Sequence, residues 1–159
     1  MSECPGGNDM RDADMAEGAL AGLRVVDLTD DSGRFATKLL TELGADVVRV
    51  TTTGSPGKTM VDPVAAARGG VLDLWYDGGK RRCIADLDTE AGRDTYRQLC
   101  AAAHLVIETE PRGRLASYGI DHDDLLALQP MLVQVSLTPF GRTGPKSNWV
   151  TSDLVSAAH

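Results

Sequence analysis

From Leu20 onward, short apolar runs rich in Val, Leu and Ile alternate with stretches whose apolar residues recur every three or four positions. That alternation predicts strands followed by helices. LRVVDL (Leu23 to Leu28) predicts a first strand, the polar residues Asp30, Asp31 and Ser32 a turn, and RFATKLLTEL a helix that Gly44 ends. DVVRV (Asp46 to Val50) predicts a second strand and the Gly/Pro/Thr-rich Thr51 to Lys58 a loop, while Asp62-Pro63 opens a short helix to Gly69. A third strand, RCIADL (Arg82 to Leu87), leads through the capping residues Asp88 and Thr89 into a helix from Glu90 to Ala102, then into LVIE (Leu105 to Glu108). A short helix from Asp121 to just before Pro130, a strand MLVQVSL (Met131 to Leu137), a Gly/Pro loop over Thr138 to Trp149 and a helix beginning near Thr151 complete the pattern.

Five apolar strands joined by helical crossovers predict an α/β domain with a mostly parallel sheet covered on both faces. Ligands of such sheets bind at the carboxyl ends of the strands. Interest therefore falls on Thr29 to Arg34, Thr51 to Lys58, Asp86 to Thr89, Glu108 to Gly113 and Thr138 to Lys146. Residues 1 to 18 are polar, acidic and Gly-containing and read as a disordered tail, leaving 19 to 159 as one domain, a normal size for a single core.

Composition narrows the partners. With 23 acidic and 16 basic residues the formal charge is -7, which argues against nucleic acid. An anionic ligand must then find a local basic patch: Lys80-Arg81-Arg82 is the densest, with Arg112, Arg114, Arg142 and Lys146 as single charges. A charge run is more often a solvated face than a site. There is no apolar stretch of the ~18 residues a membrane span needs and no apolar leader, so the expectation is a cytoplasmic protein. Cys4, Cys83 and Cys100 read as scattered reduced thiols, and His104, His122 and His159 have no spacing that suggests a metal.

The first loop, TDDSGRF, carries neither a dinucleotide fingerprint nor a P-loop. Ser32 and Gly33 either present N–H groups to an anion at a helix start or simply cap it. Asp30 and Asp31 are also similar to the acidic pair of a phosphoacceptor receiver domain, but such a domain needs a Lys after the fifth strand, where Thr138 stands. No Ser, Cys or carboxylate lies in a nucleophile motif, and no catalytic residue is assigned.

LAGLRVVDL (Leu20 to Leu28), LLTELGADVVRV (Leu39 to Val50), GKRRCIADL (Gly79 to Leu87) and VSLTPFGRTGP (Val135 to Pro145) resemble, in order and spacing, the class III CoA-transferases. That family includes formyl-CoA and carnitine-CoA transferases and α-methylacyl-CoA racemases. The last segment is close to the family signature S-I-T-x-F-G-x-x-G-P, and the resemblance runs from Ala19 to Ala158. It implies a Rossmann-like, CoA-binding amino-terminal portion, incomplete at its carboxyl end, of a protein that is a homodimer when whole. It implies CoA contacts at Asp31 and Ser32, at Lys80 and Arg81, at Ala85, Asp86, Leu87 and Asp88, and at Thr109, Glu110 and Pro111. Coenzyme A and acyl-CoA are then substrates rather than prosthetic groups, and the other partner is a carboxylic acid. The nucleophile is an Asp in a G-D motif beyond the helix begun at Ser152, so this segment by itself is expected to bind CoA without turnover. Several positions depart from the family: Thr51 and Thr52 replace a Glu and a basic residue, and N-F-x-P-G becomes Thr109 to Gly113 with Glu110 inside it. Ser152 stands where racemases carry a His, which disfavours racemase chemistry. A non-catalytic CoA-binding or interaction module of the same fold is the alternative expectation.

Overall fold

Strands buried on both faces form where β-branched residues run together, and the valines of this chain do so. The computed structural model describes residues 18–51, 70–149 and 151–152. Five strands, β1 (Arg24–Leu28), β2 (Asp46–Thr51), β3 (Arg81–Ile84), β4 (Leu105–Glu108) and β5 (Val133–Ser136), pair entirely in parallel in the order β3-β2-β1-β4-β5. The order reverses between β1 and β4, which makes their carboxyl ends the switch point of the sheet. Helices α1 (Arg34–Glu42), α2 (Val71–Asp77), α3 (Glu90–Ala101), α4 (Arg114–Ser117) and α5 (His122–Leu128) lie between the strands.

The sheet separates two apolar clusters. On one face Val26, Leu28, Val50 and Val106 pack against Tyr96 and Cys100 of α3 and Leu125 of α5. On the other, Val25, Val47 and Ile107 meet Leu40 of α1 together with Leu20 and Leu23. Caps fix the helix starts. Thr89 accepts from the Gly92 amide to begin α3, and Asp121 and Asp124 form a reciprocal capping box at α5. Gly44 closes α1 at φ +98, and a Cβ there would lie 2.8 Å from the Gly18 Cα. Burial pushes the Cys100 thiol up to about 12, so it is inert at neutral pH.

The structure departs from the pattern in several places. β3 stops at Ile84 rather than Leu87, because after the Ala85 amide reaches Thr51 O the chain turns at Asp86, whose carbonyl accepts from the Thr89 amide. β5 starts at Val133 rather than Met131, since the Leu132 amide closes a turn on Gln129 O. α2 and the single turn α4 have no counterpart in the pattern; α2 buries none of its seven residues and so lacks the periodic signal of a packed helix. The predicted tail over residues 1–17, the loop beyond Thr51, the helix from Asp62 to Gly69 and the continuation past Ser152 lie outside the described residues. Among the described residues no helix is long and apolar enough to cross a membrane.

α1 departs most. Its buried residues are Arg34, Thr37 and Lys38, while Phe35, Leu39 and Leu43 stand 49%, 43% and 50% exposed. The reason lies in the strands beneath it. Asp27 and Arg49 are cross-strand partners in register on the face that α1 covers, and buried charges need polar neighbours. The polar stripe of the helix supplies them.

Candidate functional site

Asp27, in the middle of the VVDL run, is wholly buried. Its Oδ1 accepts from Arg49 Nη1 at 2.9 Å and from the Thr29 hydroxyl at 2.7 Å, and its Oδ2 accepts from Lys80 Nζ at 3.0 Å and from the Thr37 hydroxyl at 2.7 Å. Burial by itself raises this carboxyl, but Arg49, Lys80 and the two hydroxyls outweigh it and hold Asp27 below the usual carboxylate value. Lys80 also donates to Thr37 Oγ1 at 2.8 Å and lies 3.4 Å from Asp77 Oδ1. Asp77 in turn pairs with Arg34 at 3.0 Å, and Arg34 reaches Asp31 at 3.1 Å and Asp73 at 2.8 Å. This chain of ion pairs ties α1 and α2 to the sheet and ends at the first loop.

Around the switch point the loops are organised by short side chains. The Asp30 carboxylate accepts from the Ser32 amide at 3.0 Å, the Asp30 carbonyl from the Gly33 amide at 3.1 Å, and the Asp30 amide donates to Thr109 Oγ1 at 2.7 Å. The amides of Ser32 and Gly33 are therefore used within the loop and are not offered to an anion, and Gly33 holds the N-cap position without a side-chain cap. The Asp30–Thr109 bond joins the loop after β1 to the turn after β4. Further along, the Tyr118 hydroxyl bonds Asp88, and Arg114 stands 3.9 Å from Asp88 and 3.6 Å from Glu110. Arg93 and Arg114 flank the Tyr118 ring at 5.7 and 5.9 Å.

The expected CoA contacts thus divide. Ser32 and Thr109 share a rim hydrogen-bonded through Asp30, Asp31 pairs instead with Arg34, and Asp88, Glu110 and Arg114 form a second group beside them. Pro111 is exposed between them, and Asp86 is half-buried at the turn into α3. Ala85 and Leu87 bury their side chains in the core, leaving only backbone to meet a ligand. Glu110 is almost wholly buried, so it does not project a charge into the crevice. Lys80 and Arg81 are not brought to this rim. The Lys80 side chain is 0% exposed and its donors are committed to Asp27, Thr37 and Asp77. Arg81 begins β3 and pairs at 2.6 Å with Asp46, which begins β2, at the opposite edge of the sheet. The basic run is therefore not a patch: one member is an interior counter-ion and another a surface ion pair.

The loops after β4 and β5, both singled out by the sequence pattern, meet in a neighbouring cleft of 260 Å³ lined by Thr109 to Arg112, Leu137 to Pro139, Gly141, Arg142 and Ser147 to Trp149; what the pattern did not reveal is the ion pair beside it. Glu108, wholly buried at the end of β4, accepts from Arg142 Nη1 at 2.6 Å and from the Glu110 amide at 2.6 Å. Arg142 also donates to Ser136 Oγ at 2.7 Å. The signal available in the sequence was a charged residue closing an apolar strand, since a buried Glu requires a cation near it.

Residues 20–159 match the family described as CoA-transferase family III. The chain is 39% identical over 139 residues to the succinyl-CoA:(R)-benzylsuccinate CoA-transferase subunit of Thauera aromatica, covering 85% of this chain and 34% of that protein. It is 36% identical over 144 residues to a succinate–glutarate CoA-transferase of Agrobacterium fabrum, covering 86% of this chain and 36% of that protein. Among solved structures it is similar to a CAIB/BAIF family protein from Brucella suis, with TM-score 0.75 and 33% identity over 87% of this chain and 38% of the other. The chain thus spans about a third of the length of the curated relatives it matches.

Proposed function

The chain belongs to CoA-transferase family III, and from that membership we propose that it supplies the CoA-holding portion of an enzyme that moves CoA from an acyl-CoA to a carboxylic acid. The observation that carries the reading is the β1/β4 switch point, where the Asp30–Thr109 hydrogen bond joins the two loops and the Arg114 group stands beside them. Open parallel sheets bind nucleotide-like ligands at such points. Asp31, Ser32, Asp86, Asp88, Thr109 and Pro111 contribute side chains or backbone, Ala85 and Leu87 contribute backbone only, and Arg114 contributes the cation that Lys80 and Arg81 do not.

In the complete reaction the reading requires an Asp carboxylate downstream of Ser152. That carboxylate attacks the thioester carbonyl, the CoA thiolate leaves and a mixed anhydride forms. The thiolate then attacks the carbonyl of the enzyme carboxyl, the donor acid leaves and the enzyme carries CoA as a thioester. The acceptor carboxylate attacks that thioester and expels the CoA thiolate, giving a second mixed anhydride; the thiolate then attacks the acceptor carbonyl of that anhydride, forming the new acyl-CoA and releasing the enzyme carboxylate. Within this scheme the chain's own residues bind and orient CoA. The polar network around Asp27 holds the first loop in place through Thr29 and Arg34. Ser152 stands at the position where racemases carry a base, which supports transfer over racemisation.

Calorimetric titration of the chain with CoA tests the proposal. Saturable one-to-one binding is expected, and at ligand concentrations 100 times Kd the fold gains about 2.7 kcal/mol, read as a rise in Tm. No heat and no Tm shift at millimolar CoA would sink the reading and leave an interaction module of the same fold.

A further inference from the structure

None of the seven residues of α2 is buried, and Val71, Leu72, Leu74 and Trp75 stand exposed. A helix of about two turns does not hold itself together in water, so its helicity comes from whatever docks it to the rest of the chain. Apolar packing supplies little of that docking: the Phe35 ring of α1 meets the Trp75 ring of α2 at 6.1 Å, and both rings are about half open to solvent.

Charge supplies the rest. The Arg34 guanidinium on α1 takes Asp73 at 2.8 Å and Asp77 at 3.0 Å, and Lys80 and Arg82 lie 3.4 and 3.7 Å from the Asp77 carboxylate. Lys38 Nζ and the Arg34 guanidinium also stand over the Trp75 and Tyr76 rings, at 4.6 and 5.1 Å. Each of these ties sets a cation outside the helix on a carboxylate or a ring of α2. The fit is incomplete, since Arg34 Nε is buried with no acceptor among the described residues, a cost that movement would relieve. Glycines bound the helix, Gly70 at φ +73 before it and Gly78-Gly79 after it, the second at φ +80, so the chain turns at either end without a Cβ in the way.

We propose that α2 is a strap latched to α1 by charge, which opens as a unit about the Gly78-Gly79 turn while the sheet stays paired. The two states differ in the pairs that join Asp73 and Asp77 to Arg34, whereas Lys80 keeps Asp27 and Thr37 in both. Ionic strength, or an anion competing for Arg34, shifts the balance, because screening acts on exposed pairs and much less on buried ones. Opening frees the covered side of Phe35 beside the exposed Leu39 and Leu43 and leaves Asp31 as the carboxylate on Arg34. The state of the strap is thereby passed to the first loop, whatever that loop binds.

Amide hydrogen exchange of the intact chain, read by mass spectrometry at about 0.05 M and about 1 M sodium chloride, tests the strap. Amides of Val71–Asp77 are expected to exchange at least ~10-fold faster in high salt, with those of β1 and β4 unchanged. Asp73→Asn, which leaves the Lys80 pairs untouched, should raise the low-salt rate toward the high-salt one and flatten the salt dependence. Arg34→Gln should do the same without altering the first turn of α2, which separates the ion pairs from the effect of Asp73 on its own helix end. In a Trp149→Phe background Trp75 is the remaining indole, and its emission should move to the red over the same range of salt. A helix held by apolar contact is indifferent to screening, so exchange over Val71–Asp77 that ignores salt, or a salt dependence that survives both substitutions, overturns the proposal. So does an acceleration shared equally by β1 and β4, which is unfolding of the whole domain. Exchange at the free-peptide rate already in low salt overturns it as well, since no latched state then exists.

Discussion

Replacing Asp27 by Asn is the sharpest perturbation of the fold. The substitution keeps the volume and one oxygen acceptor but removes the charge that Arg49 and Lys80 both face, at 2.9 and 3.0 Å. Lys80 is completely buried and Arg49 nearly so, so neither cation can turn to water. Breaking a buried pair in this way costs about 3–5 kcal/mol, against ~5–15 kcal/mol for a whole domain. At a urea m-value of about 2 kcal/mol/M, the midpoint should fall by about 2 M with m unchanged. The coupling can be isolated. Lys80→Met alone strips Asp27 of one of two cations, and the double variant should be more stable than the two losses added, by about 1–3 kcal/mol. Acid supplies a second reading. The folded state holds Asp27 below its usual value of 3.8, so in the window below about pH 4 the unfolded chain takes up the proton first. The contribution of Asp27 is complete above that window and drains away as pH falls through it; in Asp27→Asn this part of the acid limb should be missing. A loss under about 1 kcal/mol together with an unchanged acid limb would refute the account of the network.

Two further changes probe the frame of the site. Gly92→Ala places a Cβ 1.9 Å from the Asp86 carbonyl oxygen, a backbone atom that cannot step aside, so the α3 start and the Asp86–Asp88 turn should both shift. Urea denaturation should show a loss of at least about 2 kcal/mol, and wild-type stability would show that the turn is free to move. Asp121→Ala removes the capping box of α5 and should cost about 1 kcal/mol, with Asp121→Ser recovering most of it; equal losses in the two variants would show that capping is not the cause.

What the sequence makes legible follows from how each feature is encoded. Strands and crossovers are written locally, as runs of Val and Ile and as Thr89 and Asp121 before helices, and β4 matches its predicted bounds. α1 forms where the pattern puts it, but it turns Phe35 and Leu39 outward and keeps only Leu40 on the core, because its facing is decided by Asp27 and Arg49 on other segments. A strand charge flanked by valines is a statement about burial, and reading VVDL and VVRV together would have paired the two. The run Lys80-Arg81-Arg82 misleads for the converse reason. Neighbouring residues of an extended segment point to opposite sides, so Arg81 meets Asp46 while Lys80 and Arg82 on either side of it both reach Asp77, Lys80 continuing inward to Asp27. The Glu108–Arg142 pair spans 34 residues and three elements, and no spacing rule reaches that far.

The hydrogen bond from the Asp30 amide to Thr109 closes a span of 79 residues, whereas the Arg49–Asp27 bond closes 22. In chain entropy the longer closure costs only about 1 kcal/mol more than the shorter one, because that cost grows as the logarithm of length. The β1–β4 junction is thus a joint between two separately paired sections, β3-β2-β1 on one side and β4-β5 on the other. Parting it would dissolve the crevice while leaving each section's own ladder intact. The residues of the proposed ligand rim therefore add a side-chain fastening to the β1–β4 ladder, and a ligand seated across them would work as a clasp.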